Sequence, residues 1–199
     1  MKIVKVEPVA TTKFLNLYNA IYEDNGKQKV WTFSSRNTLN NLTCLTKKPH
    51  ADTVSVVPRY IDKDGDEAII LNKEFRMPIN NYIYSFVSGL IDEGETPVQS
   101  CLRELTEEIG ADPKDVTELT PLTDICFKSE GMTDETAVIF EARINKLGKQ
   151  NLQDSENINV VIVKIKNLAK FIKGKTFSTM AAVYLPMLVR EFNLQKTNK

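Results

Sequence analysis

The chain has 199 residues, 42% of them hydrophobic, and its 26 basic and 26 acidic side chains give a formal net charge of zero. Length and composition are those of one domain of ordinary size, or of a domain with a small extension. A balanced charge argues against general binding of nucleic acid or anionic membranes, which requires a basic surplus. We therefore expect neither as a partner.

The cysteines and the first residues predict a cytoplasmic protein. Cys44, Cys101 and Cys126 show no CxxC spacing, which is typical of a reduced chain. The opening MKIVKVEP lacks the apolar run of a signal peptide, and no apolar stretch approaches the length that spans a membrane.

The N-terminal region predicts a small β-sheet. Residues 2–9, 13–23 and 29–35 are rich in β-branched and aromatic side chains, and Asp24-Asn25-Gly26 is a hairpin signal. Such a short sheet is only marginally stable alone, so we expect it to pack on the main domain or on a second subunit.

The chain is expected to divide into an N-terminal sheet at 1–45 and a main domain at 50–195, with a polar, irregular linker at 37–49. Strands of the main domain are predicted at 53–61, 67–72, 136–144 and 158–165, the last as a central strand. Two helices are predicted at 167–173 and 176–192. Asp62-Lys63-Asp64-Gly65-Asp66 lacks the spacing of a calcium loop and is interpreted as a hairpin turn. Strands and helices in this mixture predict an α/β fold with a sheet between helices.

A third helix is predicted between Thr96 and Gly110. Thr96 can cap it, Pro97 suits its first position, Gln99 completes a capping box and Gly110 can end it. The apolar residues at helical spacing, which we expect to face the core, are Val98, Leu102, Leu105 and Ile109.

The same helix carries a cluster of carboxylates. Glu104 and Glu108 lie one turn apart, with Glu107 beside them. Like charges at this spacing destabilise a helix by roughly 0.2–0.5 kcal/mol per pair. Oxygen ligands gathered in this way suit Mg²⁺ or Mn²⁺. The alternative is a solvated, acidic helix face.

These residues resemble the Nudix box at every fixed position. The matching residues are Gly89, Glu95, Arg103, Glu104, Leu105, Glu107, Glu108, Gly110 and Ala111. The resemblance implies the Nudix fold, an α/β/α sandwich with a mixed sheet, and metal-dependent cleavage of substrates built as a nucleoside diphosphate linked to another group. It also implies metal binding by Glu104, Glu107, Glu108 and the backbone of Ser88, with a catalytic part for Glu107. Glu95 and Arg103 would form a structural ion pair.

The flanking sequence is similar to the ADP-ribose (ADP-sugar) pyrophosphatase branch of that family. The similarity implies a phosphate contact for Arg76, which a forked guanidinium suits. It implies adenine contacts for Trp31 and Arg36 and a homodimer formed through the N-terminal sheet. Core packing is the alternative for Trp31, the only tryptophan of the chain.

Glu135, in the loop after the box, is the predicted general base toward the attacking water, with Glu130 and Asp134 as rivals. The segment Ser85-Phe86-Val87-Ser88-Gly89 departs from the Glu-Phe-Pro-Ala-Gly of the branch, and this departure leaves the substrate preference open.

The sequence therefore predicts an Mg²⁺-dependent hydrolase that splits ADP-ribose or a related nucleotide sugar into AMP and a sugar phosphate. Two alternatives remain. One is cleavage of another nucleoside diphosphate derivative, and the other is an ADP-ribose-binding module without turnover.

Overall fold

The structure is a computed structural model that describes residues 1–154 and 156–197. Its residues group into two units: a smaller one of Met1–Thr53 and Asp124–Val138, and a larger one of Val54–Thr123 and Ile139–Lys199. The predicted division into 1–45 and 50–195 stays a prediction. Within the described residues, every helix is too short or too polar to cross a membrane.

Eleven strands and four α-helices are described. The strands are β1 (Lys2–Thr11), β2 (Asn16–Asp24), β3 (Lys27–Ser35), β4 (Thr53–Ile61), β5 (Glu67–Arg76), β6 (Asn81–Ser85), β7 (Val87–Leu90), β8 (Val116–Pro121), β9 (Cys126–Phe127), β10 (Thr136–Ile144) and β11 (Ile158–Lys164). The helices are α1 (Thr43–Thr46), α2 (Pro97–Ile109), α3 (Ile165–Phe171) and α4 (Thr179–Thr197).

The N-terminal strands form the separate three-stranded antiparallel sheet that the sequence predicts, in the order β1-β2-β3. Asn25 and Gly26 both have positive φ angles, of 52° and 72°, which matches the twist of a two-residue hairpin turn. The linker predicted at 37–49 is wrong in part. Residues 37–49 contain α1 and the fully buried Leu42. One buried apolar side chain is enough to anchor an otherwise polar stretch.

The other eight strands form a mixed sheet with the main order β11-β5-β4-β10-β8. Strand β11 stands at the end of this order, so its prediction as a central strand is wrong. The apolar run of β11 misled the prediction, since β-branched residues suit strands whether or not they are buried, and Ile162 is in fact exposed.

Helices cover both faces of this sheet in the larger unit. Ile69 and Leu71 of β5 pack in one buried cluster with residues of α3 and α4. Side chains alternate along a strand, so Asn72 lies on the opposite face, where it bonds Glu108 of α2. The predicted α/β/α sandwich is therefore confirmed.

Helix α2 begins and ends as predicted. The Thr96 side chain accepts a hydrogen bond from the Gln99 backbone N–H, and the Gln99 side chain accepts one from the Thr96 N–H, which completes the capping box. Gly110 ends the helix with a φ angle of 71°. The predicted apolar stripe is wrong at Val98, which is exposed, whereas Leu105 and Ile109 are buried.

The loop after β10 caps the C-terminal end of α2. The Gly148 N–H donates to the Gly110 carbonyl at 2.7 Å, the Asn151 N–H to the Glu107 carbonyl at 2.8 Å, and the Gln150 side chain to the Glu108 carbonyl at 2.6 Å. These bonds use carbonyls that the helix leaves without a partner. The loop therefore fixes the end of the helix that carries the carboxylates.

We predict that Gly110→Ala destabilises the protein more than Gly94→Ala. Both glycines have a positive φ angle, which costs a residue with a side chain about 1–2 kcal/mol. An added methyl group at Gly110 would also lie 2.6 Å from the Gly148 carbonyl group, whereas at Gly94 it meets no atom within 4 Å. Urea unfolding should give a further loss of about 1–3 kcal/mol for Gly110→Ala. Equal losses in the two variants would contradict this packing.

Candidate active site

The buried face of α2 carries two carboxylates. Glu104 and Glu108 are each only 3% exposed, and they lie on the same side of the helix as Leu105 and Ile109. A solvated acidic face is therefore excluded for these two residues. Glu107 is partly exposed beside them. Arg103, 2.6 Å from Glu104, compensates one of these carboxylates, and ionisation of both would need a further cation, so the arrangement favours a cation-binding site.

Glu108 has two hydrogen-bond donors on one oxygen. Its Oε2 atom accepts from Asn72 Nδ2 at 2.6 Å and from the Ser88 backbone N–H at 3.2 Å. Burial, and then the charge of Glu104, raise the pKa of Glu108 to about 9, although both donors oppose the shift. In the absence of a bound cation, Glu108 is therefore neutral at neutral pH.

Burial also raises the pKa of Glu104, against the opposing effect of Arg103, whose Nη1 atom lies 2.6 Å from Glu104 Oε1. The charges of Glu107 and Glu156 act in the same direction as burial. Glu156 therefore belongs to the electrostatic environment of the box. Sequence reasoning missed it, because it lies in an irregular loop far from the box along the chain.

Arg103 connects the loop before α2 to the helix. Its Nε and Nη2 atoms bond the two carboxylate oxygens of Glu95, each at 2.9 Å, and Nη2 also donates to the Leu90 carbonyl at 2.8 Å. The hydrogen bonds from Arg103 are the main cause that lowers the pKa of Glu95 to about 2. This forked pair holds the Gly89 loop against the helix.

Three features show that the residues present fit a divalent metal ion. The carboxylates of Glu104 and Glu108 and the amide oxygen of Asn72 are oxygen ligands, which Mg²⁺ prefers. A methyl group at Gly89 would lie 1.8 Å from Glu104 Oε1, so only a glycine leaves this oxygen its place. The buried Oδ1 atom of Asn72 has no hydrogen-bond partner within the described residues, which leaves an acceptor free beside Glu108. The role predicted for the Ser88 backbone stays a prediction.

In a second acidic cluster, a lysine side chain of the protein already takes the place of a cation. Asp62, Asp64 and Asp66, in the turn between β4 and β5, gather their carboxylates closely enough to bind a metal ion. The Nζ atom of Lys164 contacts all three, at 2.6, 3.0 and 2.9 Å. This ammonium group takes the position that an ion would need. We interpret the turn as a hairpin turn that is ion-paired to β11.

Arg76 lies at the end of β5 in the larger unit, with its side chain half exposed. Its Nη2 atom is 2.7 Å from Glu74 Oε1. The guanidinium can therefore reach a ligand while one of its nitrogens is held by the protein.

Trp31 lies in the smaller unit and is 52% exposed, so core packing, the alternative for this residue, is wrong. Its indole N–H donates to the Gly131 carbonyl at 3.2 Å, which fixes the ring. The ring borders a mostly apolar cavity of about 430 Å³ that Tyr22, Phe33 and Phe127 also line.

Two further predicted site residues of the smaller unit meet each other. Arg36 Nε lies 2.5 Å from Glu135 Oε1, and Lys128 Nζ lies 3.4 Å from Glu135 Oε2. Burial raises the pKa of Glu135, but the two cations outweigh it and the net pKa is lowered. Of the rivals, Asp134 accepts from the Thr43 N–H at 3.2 Å, and Glu130 is exposed.

The structure matches a crystal structure described as "ADP compounds hydrolase" with a TM-score of 0.67, over 98% of this chain and 96% of that one, at 22% sequence identity. This likeness supports the fold. The model of a family described as "NUDIX domain" matches residues 49–180.

Two curated relatives have similar sequences. The ADP-ribose pyrophosphatase of Bacillus subtilis is 30% identical over 177 residues, which cover 87% of this chain and 84% of the relative. The ADP-sugar pyrophosphatase of Mus musculus is 31% identical over 144 residues, which cover 72% of this chain and 61% of the mouse protein.

Together, the α/β/α sandwich and the carboxylate-bearing helix define the class of Nudix-type hydrolases. The chain belongs to the Nudix family, and it is a pyrophosphohydrolase of that family. Nudix enzymes generally use a divalent metal ion, in agreement with the donors found at the box.

Proposed function

We propose that this protein uses Mg²⁺, or Mn²⁺ in its place, to hydrolyse the diphosphate of ADP-ribose or a related nucleotide sugar into AMP and a sugar phosphate. The observation that carries the proposal is the burial of Glu104 and Glu108 on one face of α2. Arg103 already contacts Glu104, and no salt bridge to Glu108 is found among the described residues, so Glu108 can be charged at this depth only with a further cation. A divalent ion held there can bind a diphosphate.

Each residue at the box has a defined part in this proposal. Glu104, Glu107, Glu108 and the backbone of Ser88 would hold the ion. When bound, the ion supplies neutralisation of the phosphate charge and so makes phosphorus easier to attack. Arg76 binds a phosphate oxygen through the donors that Glu74 does not use.

A base must take a proton from the attacking water, and Glu135 keeps that proposed role. Its lowered pKa keeps it ionised, as a base requires, although its ion pair with Arg36 would have to loosen. Glu156 is a second candidate, because its charge acts on Glu104 of the box.

The names of the two relatives support ADP-ribose or an ADP-sugar as the substrate. The departure at Ser85-Phe86-Val87-Ser88-Gly89 favours the second candidate, another nucleoside diphosphate derivative, because it changes the charge and stiffness of the chain just before the box. A binding module without turnover would have no use for two buried like charges.

We predict that wild-type protein with Mg²⁺ releases AMP from ADP-ribose, and that Glu108→Gln lowers the turnover number by on the order of 100-fold or more, since even residues that only support metal ligands contribute about 10–100-fold. Glu118→Gln, at an exposed carboxylate paired with Arg143, is the matched control and should keep wild-type turnover. A panel of nucleoside diphosphate compounds, read by product release, tests the substrate. Unchanged turnover in Glu108→Gln would refute its role, and no hydrolysis of any compound would refute the enzyme.

We further propose that the N-terminal sheet forms a homodimer. Strand β1 is exposed along nearly its whole length, and its apolar side chains Ile3, Val4 and Val9 face solvent in the single chain. Burial of these apolar side chains against a second copy would remove them from water. Sedimentation that finds only monomers at micromolar concentration would rule this out.

Trp31 is proposed to stack on the adenine of the substrate. Its ring is exposed, held by Gly131 and open to the cavity described above. We predict that Trp31→Ala weakens binding of ADP-ribose by roughly 1–3 kcal/mol, the usual contribution of a base stacked on an aromatic ring. Calorimetry that finds equal affinities in the two proteins would remove Trp31 from the site.

A cytoplasmic location is also proposed. All three cysteines are free thiols, and burial raises the pKa of the Cys101 thiol to about 12, so that it is unreactive. Free thiols are typical of reducing compartments. Cell fractionation with this protein outside the cytoplasm would contradict the proposal.

A further inference from the structure

One face of β5 carries a line of polar side chains away from the box. Asn72, Glu74 and Arg76 alternate with residues of the opposite face, so all three lie on the side of the sheet that α2 covers. Asn72 contacts Glu108 directly, Glu74 follows, and Arg76 reaches solvent at the end of the strand. The line therefore leads from the proposed metal site outward.

Glu74 is a buried charge between these two residues. It is 7% exposed, and its Oε1 atom accepts from the Ser85 hydroxyl at 2.7 Å and contacts Arg76 Nη2 at 2.7 Å. Strand β6 brings Ser85 into reach, because it pairs with β5 in a register that sets Ser85 opposite Asn72. A buried carboxylate depends on such donors, so Glu74 has a fixed position.

The fixed position of Glu74 also fixes Arg76. A long arginine side chain that is half exposed loses rotamer freedom when it binds an anion, and this loss weakens binding. With one nitrogen held by Glu74, part of that freedom is already lost before a ligand arrives. The remaining donors of the guanidinium stay available for a phosphate.

We propose that Glu74, held by the Ser85 hydroxyl, is a positioning residue that orients Arg76 toward the diphosphate of the substrate. The inference rests on the proposed function, which assigns the phosphate contact to Arg76. It also gives the altered segment before Gly89 a role, since Ser85 belongs to that segment and supplies the hydroxyl.

A second role for Glu74 has to be separated from this one. The charge of Glu74 contributes to the raised pKa of Glu108, so Glu74 lies within electrostatic range of the box. A carboxylate there could bind the metal ion itself. The two roles differ in what they affect, because a metal ligand changes the affinity for the ion and a positioning residue changes the affinity for the substrate.

The test is a double-mutant cycle of Glu74→Gln and Arg76→Ala, measured as calorimetric affinity for ADP-ribose and as KM and kcat with Mg²⁺. Glu74→Gln should weaken affinity and raise KM by about tenfold, the effect expected for loss of one buried charged contact, with little change in kcat. In the Arg76→Ala background the same substitution should have almost no effect, because no guanidinium remains to be oriented. Mn²⁺ affinity, measured by titration, should fall by less than the affinity for ADP-ribose, since Glu74 acts on the box only through its charge.

Two further variants sharpen the result. Ser85→Ala should shift KM in the same direction as Glu74→Gln but less, since Glu74 keeps its contact with Arg76. Glu118→Gln breaks a 3.1 Å pair with Arg143 on the neighbouring strand and should change neither affinity nor KM.

Two outcomes overturn the positioning role. The first is a cycle in which the two losses simply multiply. The second is a fall in Mn²⁺ affinity in Glu74→Gln at least as large as its fall in ADP-ribose affinity, which would make Glu74 a metal ligand. The failure of the proposed function would look different. Wild-type protein would bind ADP-ribose without hydrolysing it, and the affinity arm of the cycle would still decide the role of Glu74.

Discussion

The burial of Glu104 and Glu108 on one face of α2 is the constraint on which the rest of the site depends. Each carboxylate is 3% exposed, and burial is the main cause that raises both pKa values. The charge of Glu104 adds to the shift of Glu108, and the charges of Glu107 and Glu156 add to that of Glu104. Without a cation, Glu108 avoids the cost by staying neutral. With a divalent ion, both can be charged, and the helix becomes a binding surface for a diphosphate. Binding of the ion therefore has to displace the proton of Glu108.

Much of the larger unit serves to hold that face in place. The capping box begins α2, and the loop around Gly148 closes its C-terminal end. Arg103 fastens the preceding loop to the helix through Glu95. These contacts are formed before any ligand binds, so the oxygen donors are set at their positions in advance, as catalysis by electrostatic stabilisation requires.

Local signals made α2 predictable from the sequence. Thr96, Gln99 and Gly110 each act within a few residues, so the ends of the helix could be read directly, and the spacing of the box pointed to a cation. The buried side of the helix could not be read in this way, because Val98 is exposed while two glutamates are buried. The sequence also gave no sign of the residues that come to the box from distant parts of the chain, for the same reason. Asn72, Glu74 and Glu156 reach the box only through strand pairing and loop closure, to which their own neighbours in sequence give no clue.

The most direct test of the buried cation site is the proton balance of metal binding. Mn²⁺ or Mg²⁺ is titrated into the protein at pH 7 in buffers of different ionisation enthalpy. Because the folded protein raises the pKa of Glu108 to about 9, this carboxyl is protonated at pH 7 and has to lose its proton to bind the ion. The account predicts the release of about one proton per protein molecule, with the release fading as the pH rises above 9. Metal binding at pH 7 without proton release, or no binding at all, would contradict it.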